Sequence, residues 1–421
     1  MRRPVVVAAA SKLLAIASIV AFVLAFPAIA QAEDRDRVRD SDRVGESERD
    51  LSDEAILGAE AKQPWLRITS VMMRMTGFVQ EGKGYQSKAG PVTGPGDERL
   101  TVFEPQIDIY AQQGDRFTHR LWLPLDIVTA ASPNAIDRGP DVMSNASRQN
   151  EAGTVDWTVT YKHDAETDIS IRNGVHVEED FRSWHGGLAI NRGWNDRQTV
   201  VSASMLTFID WFDRFTIFGG RRGRTTRTSV TGSLGVTQIL TPSTVVNASY
   251  GLTVQSGELG TTWNSVPFDA GFRGNEILPE RRVRHALVGR FSQALPWDGA
   301  LKGYYRAYTD DWSIRAQTVE AQLLQRMTDW LYAGLTYRYH SQDGASFFAP
   351  SHSISTLLRT SDSDLATLEA HTVGGRVVAD FPLRDPGTGP KALHVELAFD
   401  RYWRNPDLDV GILTCATGFS F

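Results

Sequence analysis

The chain has 421 residues, of which 41% are hydrophobic and 22% are charged, and its formal net charge at pH 7 is -6. This composition is too polar for a bundle of transmembrane helices, but it suits a membrane β-barrel, whose inward side chains are polar. The 44 basic and 50 acidic residues are spread along the chain, so no basic region indicates a nucleic-acid partner. The single cysteine, Cys415, excludes an intramolecular disulfide framework, and no motif indicates a metal or another cofactor.

The first 32 residues have the pattern of a secretory signal peptide. Arg2 and Arg3 precede an apolar run at 13–26, Pro27 ends the run, and small residues at 30–32 form a cleavage site. An uncleaved anchor is the alternative, but the run is shorter than the ~20 residues that a spanning helix needs. We therefore expect residues 1–32 to direct secretion through the inner membrane.

Residues 33–62 form a charged segment with eleven acidic and six basic residues and no aromatic side chain. Such a segment buries too little apolar surface to order itself. We expect a disordered periplasmic tail.

Residues 63–421 consist of short segments in which apolar and polar side chains alternate, separated by turn residues. This is the pattern of outer-membrane β-strands, and about sixteen segments show it. The predicted strands are 65–80, 100–112, 117–131, 154–163, 167–180, 183–192, 198–212, 225–240, 244–256, 282–295, 300–309, 312–326, 331–341, 372–382, 392–403 and 409–421.

The connections between these segments fall into two alternating sets, one of them uniformly short and the other mostly long, with short hairpins near residues 181, 310–311 and 405–406. Short ones fall near residues 114, 164, 194, 242, 297, 329 and 386, whereas the long ones, at 81–99, 132–153, 213–224, 257–281 and 342–371, all fall in the other set. Barrels of this class have short periplasmic turns and long extracellular loops. The sequence therefore predicts an all-β, antiparallel, up-and-down transmembrane barrel in the outer membrane of a Gram-negative bacterium. A soluble sandwich or propeller would explain the alternation but not the loop asymmetry.

The last predicted strand ends on an aromatic residue. Leu413, Phe419 and Phe421 share its apolar face, which we interpret as the signal that the barrel-assembly machinery recognises. Within other strands, Pro105 and Pro124 each remove a ladder donor, so we expect a bulge or a break there.

Side-chain parity places charged residues inside the barrel. A basic wall is predicted at Arg284, Arg290, Lys302, Arg306, Arg338 and His340, and an acidic wall at Glu104, Asp108, Asp126, Asp156, Asp168 and Glu178. The basic wall is open to two interpretations. It either attracts anionic solutes through a focused field, or it braces the barrel through a network with Glu320, Asp310 and Asp311.

Four arginines cluster near a predicted outer loop: Arg221, Arg222, Arg224 and Arg227. The first three are predicted contacts for lipopolysaccharide phosphates, which match the guanidinium fork; a solvated loop is the alternative. Barrel hydrolases and acyltransferases use His with Ser or Asp, and His176 or His340 could serve. However, Asp168 lies eight residues from His176, more than ~25 Å along a strand. No catalytic residues are therefore predicted.

Several motifs resemble a bacterial outer-membrane family named domain of unknown function 3570. They are LPERRVRH at 278–285, the Leu-Pro turn at 295–296, YYRAYTDDW at 304–312, YRYHSQ at 337–342 with ASFF at 345–348, and LDIVTAASPNA at 125–135. The last motif has Thr129-Ala130 where the family has a Ser-Gly pair. The resemblance covers most of residues 63–421 and implies an outer-membrane barrel, without an established activity.

Taken together, these patterns predict a porin-like channel for small polar or anionic solutes, in contact with outer-membrane lipid and lipopolysaccharide. The alternative is a non-conducting scaffold barrel that binds a periplasmic or surface partner. The sequence leaves the oligomeric state and the solute open.

Overall fold

The computed structural model describes residues 65–82, 100–130, 151–216, 220–260, 265–383, 389–405 and 408–421. The predicted signal peptide and charged tail lie outside these residues, as do most of the loops predicted at 81–99 and 132–153. Residues 69–110 and 116–421 form one compact unit. The described residues of the second unit are 65–68 and 111–115, and in it Arg67 donates from Nη2 to Oε1 of Gln112 at 3.2 Å.

Almost all of the regular structure in the described residues is β-strand. The first nine strands are β1 (Leu66–Gly82), β2 (Leu100–Gln113), β3 (Phe117–Ala130), β4 (Glu151–Lys162), β5 (Thr167–Val177), β6 (Phe181–Trp194), β7 (Thr199–Phe215), β8 (Arg221–Thr241) and β9 (Thr244–Gly257). The next nine are β10 (Ser265–Pro267), β11 (Arg273–Asn275), β12 (Arg281–Ala294), β13 (Gly299–Asp310), β14 (Arg315–Arg326), β15 (Leu331–Gln342), β16 (Leu368–Pro382), β17 (Ala392–Arg404) and β18 (Leu408–Ser420). A single 3-10 turn spans Ser363–Leu365. No helix among the described residues is long and apolar enough to cross a membrane.

Sixteen of these strands form one closed barrel. Each pairs with its neighbours along the chain, β9 pairs directly with β12, and β18 closes the barrel against β1. Strands β10 and β11 form a separate two-stranded hairpin in the β9–β12 connection. The prediction of a closed antiparallel barrel with about sixteen strands is therefore confirmed.

Alternation along the strands gives the barrel two different faces. The outer face carries large exposed apolar side chains, such as Leu335 on β15 and Leu234 on β8, which are 66% and 61% exposed. The residues between them point to the interior, where most side chains are polar, charged or small. A continuous apolar outer face is what a barrel in a lipid bilayer requires.

The connections divide the barrel ends into two rims. At one end, which we call the short-turn rim, two to nine residues join successive strands; the other end, the long-loop rim, carries the connections at 258–280 and 343–367. At the short-turn rim Asp164 accepts bonds from the backbone N–H groups of Glu166 and Thr167 at 2.8 and 2.7 Å. These bonds, together with Arg192, lower the pKa of the Asp164 carboxyl to about 2.

The two long loops pack together into a small folded cap, defined here as residues 265–280 and 343–367. Ile277 and Arg359 exchange backbone hydrogen bonds at 3.0 and 2.8 Å, and Arg359 lies 5.2 Å from the centre of the Phe268 ring. The cap has its own core, since Val266 and Thr360 are almost fully buried. The sequence predicted long loops here, but not the strands β10 and β11.

Two local features differ from a regular ladder. The pairing of β3 with β4 is interrupted at Leu123 and Pro124 and resumes at Leu125 in the same register, so the break expected at Pro124 is present without a bulge. Strand β8 begins at Arg221, four residues before its predicted start, and the ladder with β7 carries an irregularity between Arg214 and Phe215.

Candidate solute pathway in the barrel interior

The predicted basic wall lies on three strands, β12, β13 and β15. On β12 and β13 the even-numbered residues face inward, and the register pairs Arg290 with Tyr304. Across β14 the same row continues through Glu320 to Arg338 on β15. The structure thus places Arg284, Arg290, Lys302, Arg306, Arg338 and His340 on the same inner surface.

Two inward tyrosines of β13 separate the guanidinium groups of this wall. The guanidinium carbons of Arg290 and Arg338 lie 5.2 and 5.8 Å from the centre of the Tyr304 ring. Arg306 and Arg284 lie 5.1 and 5.7 Å from the centre of Tyr308. Each ring therefore contacts two cations, and its negative face reduces their mutual repulsion. The predicted wall did not include these two tyrosines, although they share the inward parity of Arg306.

Few carboxylates lie on this surface. Glu320 accepts from Nη1 of Arg338 at 3.4 Å, and the buried Asp310 pairs with Arg282 at 2.5 Å. Asp310 also accepts from the backbone N–H groups of Trp312 and Ile314, so it organises the turn after β13. Among the described residues, no carboxylate lies within 4.0 Å of a side-chain nitrogen of the four remaining cations, which are Arg284, Arg290, Lys302 and Arg306.

These four cations are held by neutral partners or face the lumen directly. Arg284 donates to the hydroxyl of Tyr308 at 3.0 Å and to Gln255 at 3.3 Å, and Arg290 donates to Asn247 at 3.2 Å. Arg290 and Lys302 are exposed. Within the part of the chain that the structure describes, this interior surface therefore carries more cations than carboxylates paired with them.

His340 contacts two neutral side chains. Its Nδ1 lies 2.9 Å from Oγ1 of Thr318 and its Nε2 lies 3.3 Å from Oε1 of Gln342. Ser341 has the opposite parity, so its side chain points to the outer face and cannot form a dyad with His340.

The predicted acidic wall is different, because neighbouring bases occupy most of its carboxylates. Arg120 forms a two-pronged contact with Asp108, with the shortest N–O distance 2.7 Å. The buried Asp156 accepts from Arg172 and lies 2.6 Å from each of Arg172 Nε and His185 Nε2. Arginine guanidinium groups thus pair with both Asp108 and Asp156.

Two further members of the acidic wall contact a basic side chain. Asp168 pairs with Arg197 at 2.7 Å, and Glu178 lies 2.8 Å from Nε2 of His176. Glu104 accepts a hydrogen bond from Gln106. For Asp126 no ion pair occurs within the described residues.

Aromatic packing fills the same side of the interior. Phe181 and Phe212 stack with their centroids 5.9 Å apart, and the guanidinium of Arg227 lies over both rings. Arg227 also pairs with the buried Asp210 at 2.8 Å. The predicted outer-loop cluster included Arg227. Because β8 begins earlier than predicted, Arg227 lies within the strand, and its parity points the side chain to the lumen.

His176, considered above as a catalytic candidate, is committed to structural contacts. Its Nδ1 lies 2.8 Å from Oγ1 of Thr154, its Nε2 contacts Glu178, and its ring packs edge-on against Phe181. Within the described residues no group of three or more His, Cys, Asp or Glu side chains could hold a metal ion.

The predicted lipopolysaccharide contacts lie at the start of β8. Arg221 and Arg224 are exposed at the long-loop rim and both contact Asp213, at 2.6 and 3.5 Å, and Arg222 between them is also exposed. At the barrel seam, Leu413 and Phe419 are exposed on the outer face, and the backbone N–H of Phe421 donates to Thr69 at 2.9 Å.

Comparison with known proteins supports the family resemblance. Residues 207–415 match the family described as "Protein of unknown function (DUF3570)", so the family prediction is confirmed for this part of the chain. No curated protein matches the chain.

Several solved structures resemble the barrel. The outer membrane protein OpdK of Pseudomonas aeruginosa is 9% identical, with a TM-score of 0.40 over 84% of this chain and 99% of that one. A BenF-like porin of Pseudomonas fluorescens Pf-5 is 8% identical, with a TM-score of 0.42 over 85% and 99% of the two chains. A Pseudomonas aeruginosa FadL homologue is 11% identical, with a TM-score of 0.42 over 84% and 90%.

Proposed function

We propose that this protein is a porin-like channel of the outer membrane that favours small anionic solutes. The observation that carries the proposal is the basic wall, where four lumen-facing cations have no carboxylate within 4.0 Å among the described residues. The two residues of this group that are exposed, Arg290 and Lys302, offer their charge to solutes directly.

The charge distribution inside the barrel favours anions over cations. On the β2–β8 side, arginine pairs with Asp108, Asp156 and Asp168 and so reduces the negative field, whereas Glu104 and Asp126 have no ion pair among the described residues. On the β12–β15 side the field is positive. A charged surface between low-dielectric walls focuses the field in the aqueous space and raises the local concentration of counter-ions.

The geometry also fits the direction in which such barrels insert. In outer-membrane barrels the short turns face the periplasm and the long loops face outward. The cap would then lie on the cell exterior, and the exposed Arg221, Arg222 and Arg224 would lie at the height of lipopolysaccharide phosphates. The barrel-assembly machinery would recognise the outer face of β18, with Leu413, Phe419 and Phe421.

Recording from the purified protein in a planar bilayer tests the proposal. With a KCl gradient across the membrane, we expect conducting steps and a reversal potential of the sign set by chloride. A reversal potential set by potassium would overturn the anion preference. Correctly inserted barrels that never conduct would overturn the channel and favour the scaffold alternative, which the folded cap at the long-loop rim also suits.

A further inference from the structure

The seven residues 361–367 of the cap, called here the inner segment, are bound by side chains that face the barrel interior. Gln342 on β15 donates from Nε2 to the carbonyl oxygens of Asp364 and Ala366 at 2.9 and 2.8 Å. Arg404 on β17 donates from Nη1 to Oδ1 of Asp364 at 2.6 Å and from Nη2 to Oγ of Ser363 at 2.9 Å. The inner segment is thus fastened on both sides of β16.

The strand between the two anchors is covered. Leu368 and Ala370 on β16 have the inward parity of Gln342 and Arg404, and they are only 3% and 2% exposed. The inner segment therefore lies inside the mouth of the barrel, against the inward face of β15–β17.

Arg404 belongs to the same level of the barrel as the upper part of the basic wall. The strand register forms one continuous row from Arg306 through Thr318, His340 and Ala370 to Arg404. The Arg404 side chain, 8% exposed, extends the cationic surface by two strands. Arg404 lies one residue beyond the predicted strand 392–403, so parity did not assign it to the wall.

The contacts of Arg404 resemble an occupied oxyanion site. A guanidinium fork matches a carboxylate best when two parallel N–H groups meet its two oxygens. In the cap one prong donates to a carboxylate oxygen of Asp364 and the other donates to the hydroxyl of Ser363. A solute carboxylate can replace both contacts with charged ones.

From this geometry we infer that Arg404 is an outer carboxylate-binding site of the pathway, filled in the resting state by Asp364 as a tethered competitor. A carboxylate-bearing solute takes the fork, releases the inner segment, and gains access to His340, Arg306 and the rest of the wall. The role of this site in transport rests on the proposed channel function. Its occupancy by Asp364 can be tested without measuring conduction.

The experiment measures how fast a cysteine introduced at position 370 is modified. In a Cys415→Ser background, which removes the only native thiol, Ala370→Cys places one thiol under the inner segment. The rate of its modification by a membrane-impermeant methanethiosulfonate is measured on the inserted barrel, in chloride and in acetate at equal ionic strength. Ala316→Cys, also inward and 7% exposed, is a second reporter if Ala370→Cys does not fold.

We expect Asp364→Asn to speed modification about fivefold, since it removes one charged contact of the buried guanidinium. Acetate should speed modification in the parent but not in Asp364→Asn. The matched control is Asp343→Asn, which removes a cap carboxylate that has no ion pair with Arg404 and should leave the rate unchanged.

Two results would overturn the site. Equal modification rates in the parent and in Asp364→Asn would show that the carboxylate does not hold the segment. Equal modification rates of the parent in chloride and in acetate would show that acetate does not compete for the site as a carboxylate. A barrel that gives the expected rates but no conductance would reject the channel while keeping the site. A conducting barrel whose modification rates do not change would reject the site while keeping the channel.

Discussion

The guanidinium carbon of Arg290 lies 5.2 Å from the centre of the Tyr304 ring, and both side chains face the lumen from adjacent strands. The ring holds the cation in place without neutralising it, which a carboxylate would do. This contact is what allows several like charges to share one wall.

Neutralising the wall should reduce anion preference. At ~7 Å in water two unit charges interact by about 0.6 kcal/mol, so losing one cation should lower the local anion concentration about threefold. We therefore expect Arg290→Gln and Lys302→Gln each to shift the reversal potential in a KCl gradient toward zero. The control is Arg401→Gln, which changes an arginine on the outer face that pairs with Asp409. An equal shift in the control would contradict a local field at the wall.

Replacing the ring should disturb the two arginines that share it. Tyr304→Leu removes the aromatic face under Arg290 and Arg338, whereas Tyr304→Phe keeps it. A cation–π contact contributes about 0.5 to 1 kcal/mol at exposed sites, so positional disorder of the cations should rise only in the leucine variant. We expect larger current noise and a smaller anion preference for Tyr304→Leu, with Tyr304→Phe unchanged. Indistinguishable recordings for the two variants would exclude a positioning role for the ring.

Gly174 is required by the contact between Asp156 and His185. A Cβ at position 174 would lie 2.4 Å from Nε2 of His185 and 2.8 Å from the carbonyl oxygen of Val155. The imidazole cannot move away without losing Asp156, so Gly174→Ala should destabilise the barrel by about 1 to 3 kcal/mol. Urea unfolding of the refolded protein measures this. Gly232→Ala, where no atom lies within 4 Å of the added carbon, is the control and should be neutral.

The carboxyl of Asp164 should titrate well below an ordinary aspartate. Its pKa of about 2 lies below the usual 3.8, so the charged form stabilises the folded β4–β5 turn above about pH 4. This contribution is lost as the pH falls toward 2. Carbon-detected NMR of the side chain should give a midpoint near 2, and a midpoint near 4 would show that the turn hydrogen bonds do not form in solution.

The C-terminal residues should be needed for assembly. Gly418 and Phe419 pair with both β1 and β17, so deleting residues 418–421 removes the end of the seam and the aromatic outer face. We expect no heat-modifiable barrel in outer-membrane fractions after this deletion, whereas Ser420→Ala should assemble normally. Wild-type amounts of the truncated barrel would exclude an insertion signal in these residues.

The sequence predicted the barrel well because its strands are long and two-faced. Every barrel strand was located to within a few residues, since a lipid-facing side chain such as Leu335 and a lumen-facing one such as Arg338 recur with a period of two. Inward placement of the basic wall followed from the same parity.

The contact partner of a side chain was harder to predict than the face of the barrel to which the side chain points. The contact of Arg120 with Asp108 depends on how far β2 and β3 are shifted, and a shift by one residue would reverse every face. The cap was invisible to periodicity because β10 and β11 have three residues each. Its stability comes from contacts such as Ile277 with Arg359, which are distant in the sequence.

The closure of β1 on β18 has a consequence for biogenesis. The hydroxyls of Thr76 and Thr414 lie 3.4 Å apart although 338 positions separate them along the chain. Loop-closure entropy grows only logarithmically with length, so this distance is not a large thermodynamic obstacle. The obstacle is one of order: until β18 pairs with it, β1 has unpaired N–H and C=O groups that can recruit strands of other molecules. A partner that masks the first strand while the remaining fifteen pair would suppress such mispairing, and the exported chain should depend on it most just before the barrel closes.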